Sequence, residues 1–394
     1  MSTMKRLFQL MADKKASDIF LSVSSPINIK INGVAVPINQ QAMDANTIRS
    51  LLLEVIDDKQ KKEYDDTLEL NMAYTLPGVG SFRISAFRQK GSPSVVVRYI
   101  PGSIPPLDTL GLPGVLKELI LEKRGLILMV GATGSGKSTT LAAMLDFRNE
   151  RTTGHILTLE DPIEFIFQNK KSIVNQREVG TDTLDMKIGL KNALRQAPDC
   201  ILIGEVRDKD TMTSAIQYAQ SGHLCLATLH ANNSYHAMNR VISFYPLESR
   251  AALLQDLSST LKCVVSQRLV KNVRGTRSAA AEVMLNSRHI AELIEKGEIS
   301  EMKEAMEKAL TPGSQTFEQS LFNMIRAGTI TQEEGLANAD SANNLLWLIN
   351  NTDAGADIAA GKERKPETKS STAALSNTSF NDFKLDADTE RERA

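Results

Sequence analysis

Cysteine is scarce in this 394-residue sequence: Cys200, Cys225 and Cys263 are the three it has, spread far apart in apolar surroundings. With no Cys-x-x-Cys pair, a disulfide framework and a four-thiolate zinc site both drop out, and a reducing cytoplasm is the compartment that fits. An excess of charge of one sign is also lacking, because Lys and Arg total 46 against 47 for Asp and Glu. A formal net charge of -1 with only 5% aromatic residues leaves neither a global basic field nor a basic aromatic stripe, so nucleic acid is not an expected partner. Long apolar runs are missing too: Leu126 to Val130 is typical of the longest, far below the ~18 residues of a membrane span. Lys5 and Arg6 are not followed by an apolar stretch, so neither a signal peptide nor a membrane span is expected.

What is present is a chain long enough for two to three domains at roughly 150 residues each. Residues 1–100 read as a small α+β domain. It opens with an amphipathic helix, continues with the alternating strand Ile27 to Ile31 and an Asn32-Gly33 turn, then a helix over 47–64 and strands over 81–88 and 94–100. The run Pro101-Gly102-Ser103-Ile104-Pro105-Pro106 breaks helices and ladders alike, which places an interdomain linker over 101–115. From 116 to 345 short apolar strands, Leu126 to Val130, Ile156 to Leu159, Cys200 to Ile203 and Leu224 to Leu229, alternate with helices. That is the signature of an α/β domain with a mostly parallel sheet. A helix after Asp208 carries Met212, Ala215, Ile216 and Ala219 and stops at Gly222. Residues 240–345 read as helical nearly throughout, a helical C-terminal part, and 346–394 as a disordered tail whose last aromatics are Phe380 and Phe383.

Gly131-Ala132-Thr133-Gly134-Ser135-Gly136-Lys137-Ser138, with Thr139 after it, is a phosphate loop lying between an apolar strand and a helix former. Glycines let backbone N–H groups turn in on the phosphates of ATP, the lysine reaches the β and γ phosphates, and the Ser138 hydroxyl suits Mg²⁺. The apolar strand Cys200 to Ile203 leads to Glu205, an acid where a Walker B residue belongs. Glu160, Asp161 and Glu164 follow the strand Ile156 to Leu159 and open at the same sheet edge, since ligands sit at the carboxyl ends of parallel strands. Three carboxylates so close repel unless a metal ion or a water awaiting deprotonation is at hand, so one of them is a candidate general base.

His230 ends the strand Leu224 to Leu229 on that edge, where phosphate sensing and a satisfied structural role compete evenly; His223 lies at the far end. Arg83 and Arg98 sit on adjacent strands of the small domain. They are either solvated or an arginine finger supplied across a subunit boundary.

Taken in this order and spacing, the phosphate loop, Thr158 to Glu164, Gly204 to Asp208 and Gly222 to His230 resemble the type IV pilus retraction ATPases, PilT and PilU, within the secretion and pilus-motor ATPase superfamily. The resemblance covers about residues 1–345 and matches that family's Walker A, Asp box, Walker B and His box. It implies a homo-hexameric ring of two-domain subunits, with a PAS-like N-terminal domain and a RecA-like ATPase core, on the cytoplasmic face of a bacterial pilus machine at the inner membrane. It also implies ATP and Mg²⁺, a PilT-type ATPase and an inner-membrane platform protein as partners, and twitching motility as the process. By the same resemblance Glu164 polarises the attacking water, Glu205 supports Mg²⁺, His230 belongs to the His box, and Arg83 and Arg98 act on nucleotide.

Two departures point to the PilU kind, an accessory to PilT. The helix motif that PilT-type motors need for retraction reads Ser287-Arg288-His289-Ile290-Ala291-Glu292-Leu293-Ile294 here, without an arginine after the isoleucine, and the chain continues well past Trp347. The alternative within the family is a ring that docks on PilT and whose own hydrolysis is dispensable.

Overall fold

Alternating apolar and polar residues make half-buried strands of the first hundred positions, and a computed structural model pairs six of them in one antiparallel sheet. The structure describes residues 2–31, 33–100, 103–308 and 311–359, with side chains described through 351. Asn32 of the expected turn, Pro101-Gly102 of the linker, and the stretch with Phe380 and Phe383 lie outside the described residues.

The first region runs α1 (Thr3–Lys14), β1 (Asp18–Leu21), β2 (Asn28–Ile31), β3 (Val34–Pro37), α2 (Ala45–Leu53), α3 (Asp58–Thr67), β4 (Glu69–Leu76), β5 (Gly80–Gln89) and β6 (Ser92–Ile100). The strands lie in the order β3-β2-β1-β6-β5-β4. Helix α1 buries Met4, Leu7, Phe8 and Met11 at helical spacing, and Phe8 stacks on Phe82 of β5 with ring centroids 4.2 Å apart. The single helix expected over 47–64 is instead two. Asp57 accepts from the Gln60 backbone N–H at 2.8 Å while the Gln60 side chain accepts from the Asp57 N–H at 3.0 Å, a capping box that starts α3 afresh.

The second sheet is built on different lines. After α4 (Val115–Ile120) come β7 (Gly125–Val130), α5 (Lys137–Arg151), β8 (Gly154–Glu160), β9 (Ser172–Glu178), α6 (Met186–Ala193), β10 (Cys200–Ile203), α7 (Lys209–Gln220) and β11 (Leu224–Leu229). These are followed by α8 (Ser234–Ser243), α9 (Leu247–Thr260), β12 (Leu261–Lys271) and β13 (Arg277–Leu285). The seven strands run β13-β12-β7-β11-β10-β8-β9, with every neighbouring pair parallel except β12 with β13. Each residue of β7, β10 and β11 is buried, because helices cover both faces of the sheet. Cys200, Cys225 and Cys263 are buried thiols within it.

Residues 240–345 are therefore not helical nearly throughout. Cys263, Val264 and Val265 are buried in succession, so β12 shows no alternation, and the alanine run in β13 mimics a helix former. Helices resume in α10 (Arg288–Lys296), α11 (Met302–Lys308), α12 (Phe317–Arg326), α13 (Gln332–Asn338) and α14 (Ala342–Ala359). The last of these carries regular structure into the stretch read as a tail. A first compact unit spans Met1–Leu348 and a second begins at Ile349.

Candidate active site

Four parallel strands, β7, β11, β10 and β8, lie side by side, so the residues just past their carboxyl ends converge on one edge. The loop Gly131–Ser138 joins β7 to α5 there. Gly136 has φ 90°, and a Cβ on it would come within 2.7 Å of Gln267 Nε2, so only glycine lets the loop turn into the helix at this point. Lys137 donates through Nζ to the carbonyls of Gly131 at 2.8 Å and Ala132 at 2.9 Å. Burial holds its ammonium below the ordinary lysine value, while the charges of Glu205 and Glu164 act in the opposite direction.

The three carboxylates left equivalent by the sequence are separated by their surroundings. Glu160 is buried, accepts from Thr158 Oγ1 at 2.7 Å and Gln176 Nε2 at 3.3 Å, and is pushed up by desolvation. Asp161 pairs with Arg207 at 3.3 Å. Glu164 is exposed, its carboxylate taken by no hydrogen bond among the described residues. Of the three it is the one neither buried nor ion-paired among the described residues.

Beside it, β10 hands over to Gly204 and Glu205. The Gly204 N–H donates to the Leu159 carbonyl at 2.7 Å, and a Cβ on Gly204 would stand 3.1 Å from that oxygen and from Glu160 Cα, which sets how closely the two acidic segments approach. Glu205 Oε2 accepts from Arg207 Nε at 2.8 Å, and its other oxygen faces His230 Nε2 at 3.2 Å. The bond to Glu205 raises the Arg207 guanidinium above its ordinary value. Asp161, Arg207, Glu205 and His230 thus form one chain of contacts across three strand ends. Thr228 donates from its hydroxyl to the Gly204 carbonyl, fixing β11 against the same turn.

Lys137, Ser138, Thr139, Glu164, Glu205 and His230 line a single cavity of ≈ 420 Å³ together with loop residues Thr133, Gly134 and Gly136. Gly131, Ala132 and Ser135 complete the loop outside that lining. Arg83 and Arg98 are outside it as well. They are cross-strand partners on β5 and β6 yet differ in surroundings. The charges acting on Arg83 include Glu164, Glu178 and Asp161 of its own chain, opposing the burial that lowers its guanidinium, and its Nε is buried without a hydrogen-bond partner among the described residues. Arg98 donates through Nε to Asp18 at 2.9 Å. His223 stays at the opposite end of β11 beside Ser221 and the Tyr218 carbonyl.

Two residues the sequence reading did not single out belong to this edge. Arg207 was visible inside Gly204 to Asp208, and its spacing of two from Glu205 was the available signal. Gln267, a buried amide in β12, makes two hydrogen bonds around the phosphate loop: to the Ser135 carbonyl at 2.9 Å and from Thr140 Oγ1 of α5 at 2.7 Å.

The description "Type II/IV secretion system protein" matches residues 2–336. The chain belongs to this family, among its type IV pilus ATPases. The type IV pilus ATPase PilU of Pseudomonas aeruginosa is 46% identical over 346 residues, 88% of this chain and 91% of that protein. The retraction ATPase PilT of the same organism is 38% identical over 86% of this chain and 98% of its own. The crystal structure of the pilus retraction motor PilT with bound ADP superposes with a TM-score of 0.82 at 34% identity, covering 88% of this chain and 99% of that one. Like these relatives the chain is a nucleotide-binding ATPase with a RecA-like α/β core.

Proposed function

We propose that the chain hydrolyses ATP at the carboxyl edge of the parallel sheet and works as a PilU-type accessory to a PilT-type ATPase in pilus retraction. The observation that carries the reading is the convergence of Lys137, Ser138, Glu164, Glu205 and His230 on one cavity. In this scheme the orphan N–H groups of the loop and of the first turn of α5, with Lys137, take the phosphate charge. Glu164 accepts the proton of the attacking water, the role for which its open carboxylate suits it. Arg83 brings positive charge to the same region from the small domain. Arg98 keeps its ion pair with Asp18, and His230 holds Glu205.

The donor set also fits Mg²⁺. A hydroxyl on Ser138 and a carboxylate on Glu205 are hard oxygen ligands that line the same cavity. Those two residues would hold the ion, which neutralises charge on the phosphate oxygens.

The subunits form a homo-hexameric ring closed by heterologous contacts, peripheral to the inner membrane at the pilus base and docked on the platform protein. Residues 1–100 are the small domain, 101–115 the linker about which it moves, and 116–345 the ATPase domain. The accessory reading rests on the 46% identity to PilU and on Ala291 following Ile290 in α10, where PilT-type motors carry arginine.

Live imaging of labelled pili tests this in cells whose only retraction-type ATPase is this protein. Retraction that stays absent until PilT is restored, and then depends on Lys137, supports the proposal. Robust retraction without PilT overturns the accessory part. Full retraction by a Lys137→Ala strain containing PilT would mean a docking ring whose hydrolysis is dispensable.

A further inference from the structure

We infer that Gln267 is a positioning residue for the phosphate loop, setting nucleotide affinity without touching nucleotide. The inference rests on the reading that Gly131–Ser138 holds phosphates. Gln267 lies within β12, one residue past Ser266, the last that pairs with β7, and is 3% exposed. Its amide orientation is forced, because the Ser135 carbonyl is only an acceptor and must receive the Nε2 proton, leaving Oε1 to accept from Thr140. Thr140 is 1% exposed, so neither bond is exchanged for water.

One side chain therefore grips the chain at residue 135, in the loop, and at residue 140, in the first turns of α5. Between those grips lie Gly136, Lys137, Ser138 and Thr139. Their backbone N–H groups belong to the turn of a helix whose donors have no intrahelical partner and whose direction decides whether they point at a phosphate.

The loop is also pressed onto Gln267 at both of its glycine ends. A Cβ on Gly136 would meet Gln267 Nε2 at 2.7 Å, and one on Gly131 would meet the Gln267 backbone oxygen at 2.6 Å. These glycines are needed for contact with β12 as well as for phosphate. The strand itself cannot give way easily. At the next position Arg268 donates to the carbonyls of Asn338 at 2.6 Å and Asn232 at 3.2 Å, pairs with Asp340, and stacks on Phe317 at 3.9 Å.

A loop held in this way binds nucleotide without first being ordered, so loosening it weakens binding while leaving the saturated enzyme able to react. The test is affinity for a fluorescent ADP analogue, with steady-state ATP hydrolysis, on full-length wild type, Gln267→Leu, Thr140→Val and the double variant, each checked for a folded far-UV spectrum. Gln267→Leu should raise Kd and KM about tenfold, ~1.4 kcal/mol, with kcat changed less than about twofold. Thr140→Val removes one hydroxyl and keeps its shape. It should raise Kd about threefold in wild type and have no effect in the Gln267→Leu background, where its partner is gone. It carries the test alone if Gln267→Leu does not fold. Unchanged Kd in the single variants, or a fall in kcat at constant KM, would overturn the proposal while wild type still bound nucleotide. Wild type that bound none would overturn it together with the reading beneath it.

Discussion

The carboxyl edge of the parallel sheet and the flank of the antiparallel sheet both supply charge near Glu164, and they hold it by different means. On the parallel edge each group sits just past a buried strand and is tied to the next: Gly204 to Leu159, Val206 to the Thr228 carbonyl at 2.9 Å, Glu205 to Arg207 and His230. On the antiparallel sheet Arg98 pairs with Asp18, while its cross-strand neighbour Arg83 has a buried Nε without a partner among the described residues. A rigid edge fixes where phosphates go. On the proposed function, a guanidinium without a hydrogen bond among the described residues would be carried along by a movement of the small domain, a division that suits a machine that turns hydrolysis into motion.

The comparison breaks first at the phosphate loop. Lys137→Ala should lower ATP turnover by roughly 10³-fold or more in a phosphate-release assay, since no other lysine or arginine among the described residues lines the cavity. Next comes the flank, where Arg83→Ala should cost about 10²-fold in kcat. Arg98→Ala should change kcat less than about threefold and lower stability by about 1–3 kcal/mol, because it leaves the buried Asp18 carboxylate with only the Ser17 hydroxyl among the described residues. Equal losses for the two arginines would erase the distinction between them.

The smallest effect is on stability. Burial raises the Glu282 carboxyl above its ordinary value although it accepts from the Ser234 N–H at 2.7 Å and from Ser266 at 3.1 Å. Its folded value lies above its unfolded one, so its stabilising contribution is complete below the unfolded value and fades as pH rises through the folded one. Glu282→Gln, which cannot ionise, should therefore gain in melting temperature relative to wild type across the window that opens as pH rises above the ordinary carboxylate value. A difference that stays flat across that window would contradict the assignment.

Legibility in the sequence followed burial. Cys200–Ile203 and Leu224–Leu229 were readable to the residue because turn signals bound short apolar runs on both sides. Edge strand β9, Ser172–Glu178, was not, since one face meets solvent and its polar residues resemble a loop. Strand β12 was lost for the opposite reason, being buried on both faces with no alternation to detect. For the site, motif spacing placed Lys137, Ser138, Glu164, Glu205 and His230 on one edge. It left Glu160, Asp161 and Glu164 chemically equivalent, because only the fold shows that the first is buried and the second paired. Gln267 escaped because its partners are 132 and 127 residues away, beyond the reach of any local pattern.

The central claim is that Glu164, alone among those carboxylates, is the base. Its most direct test is single-turnover hydrolysis by purified Glu164→Gln alongside its ATP affinity. The account predicts ATP bound as tightly as by wild type with hydrolysis slowed about 10³-fold. Hydrolysis at the wild-type rate, with binding intact, would contradict it and move the search to another group at the same edge.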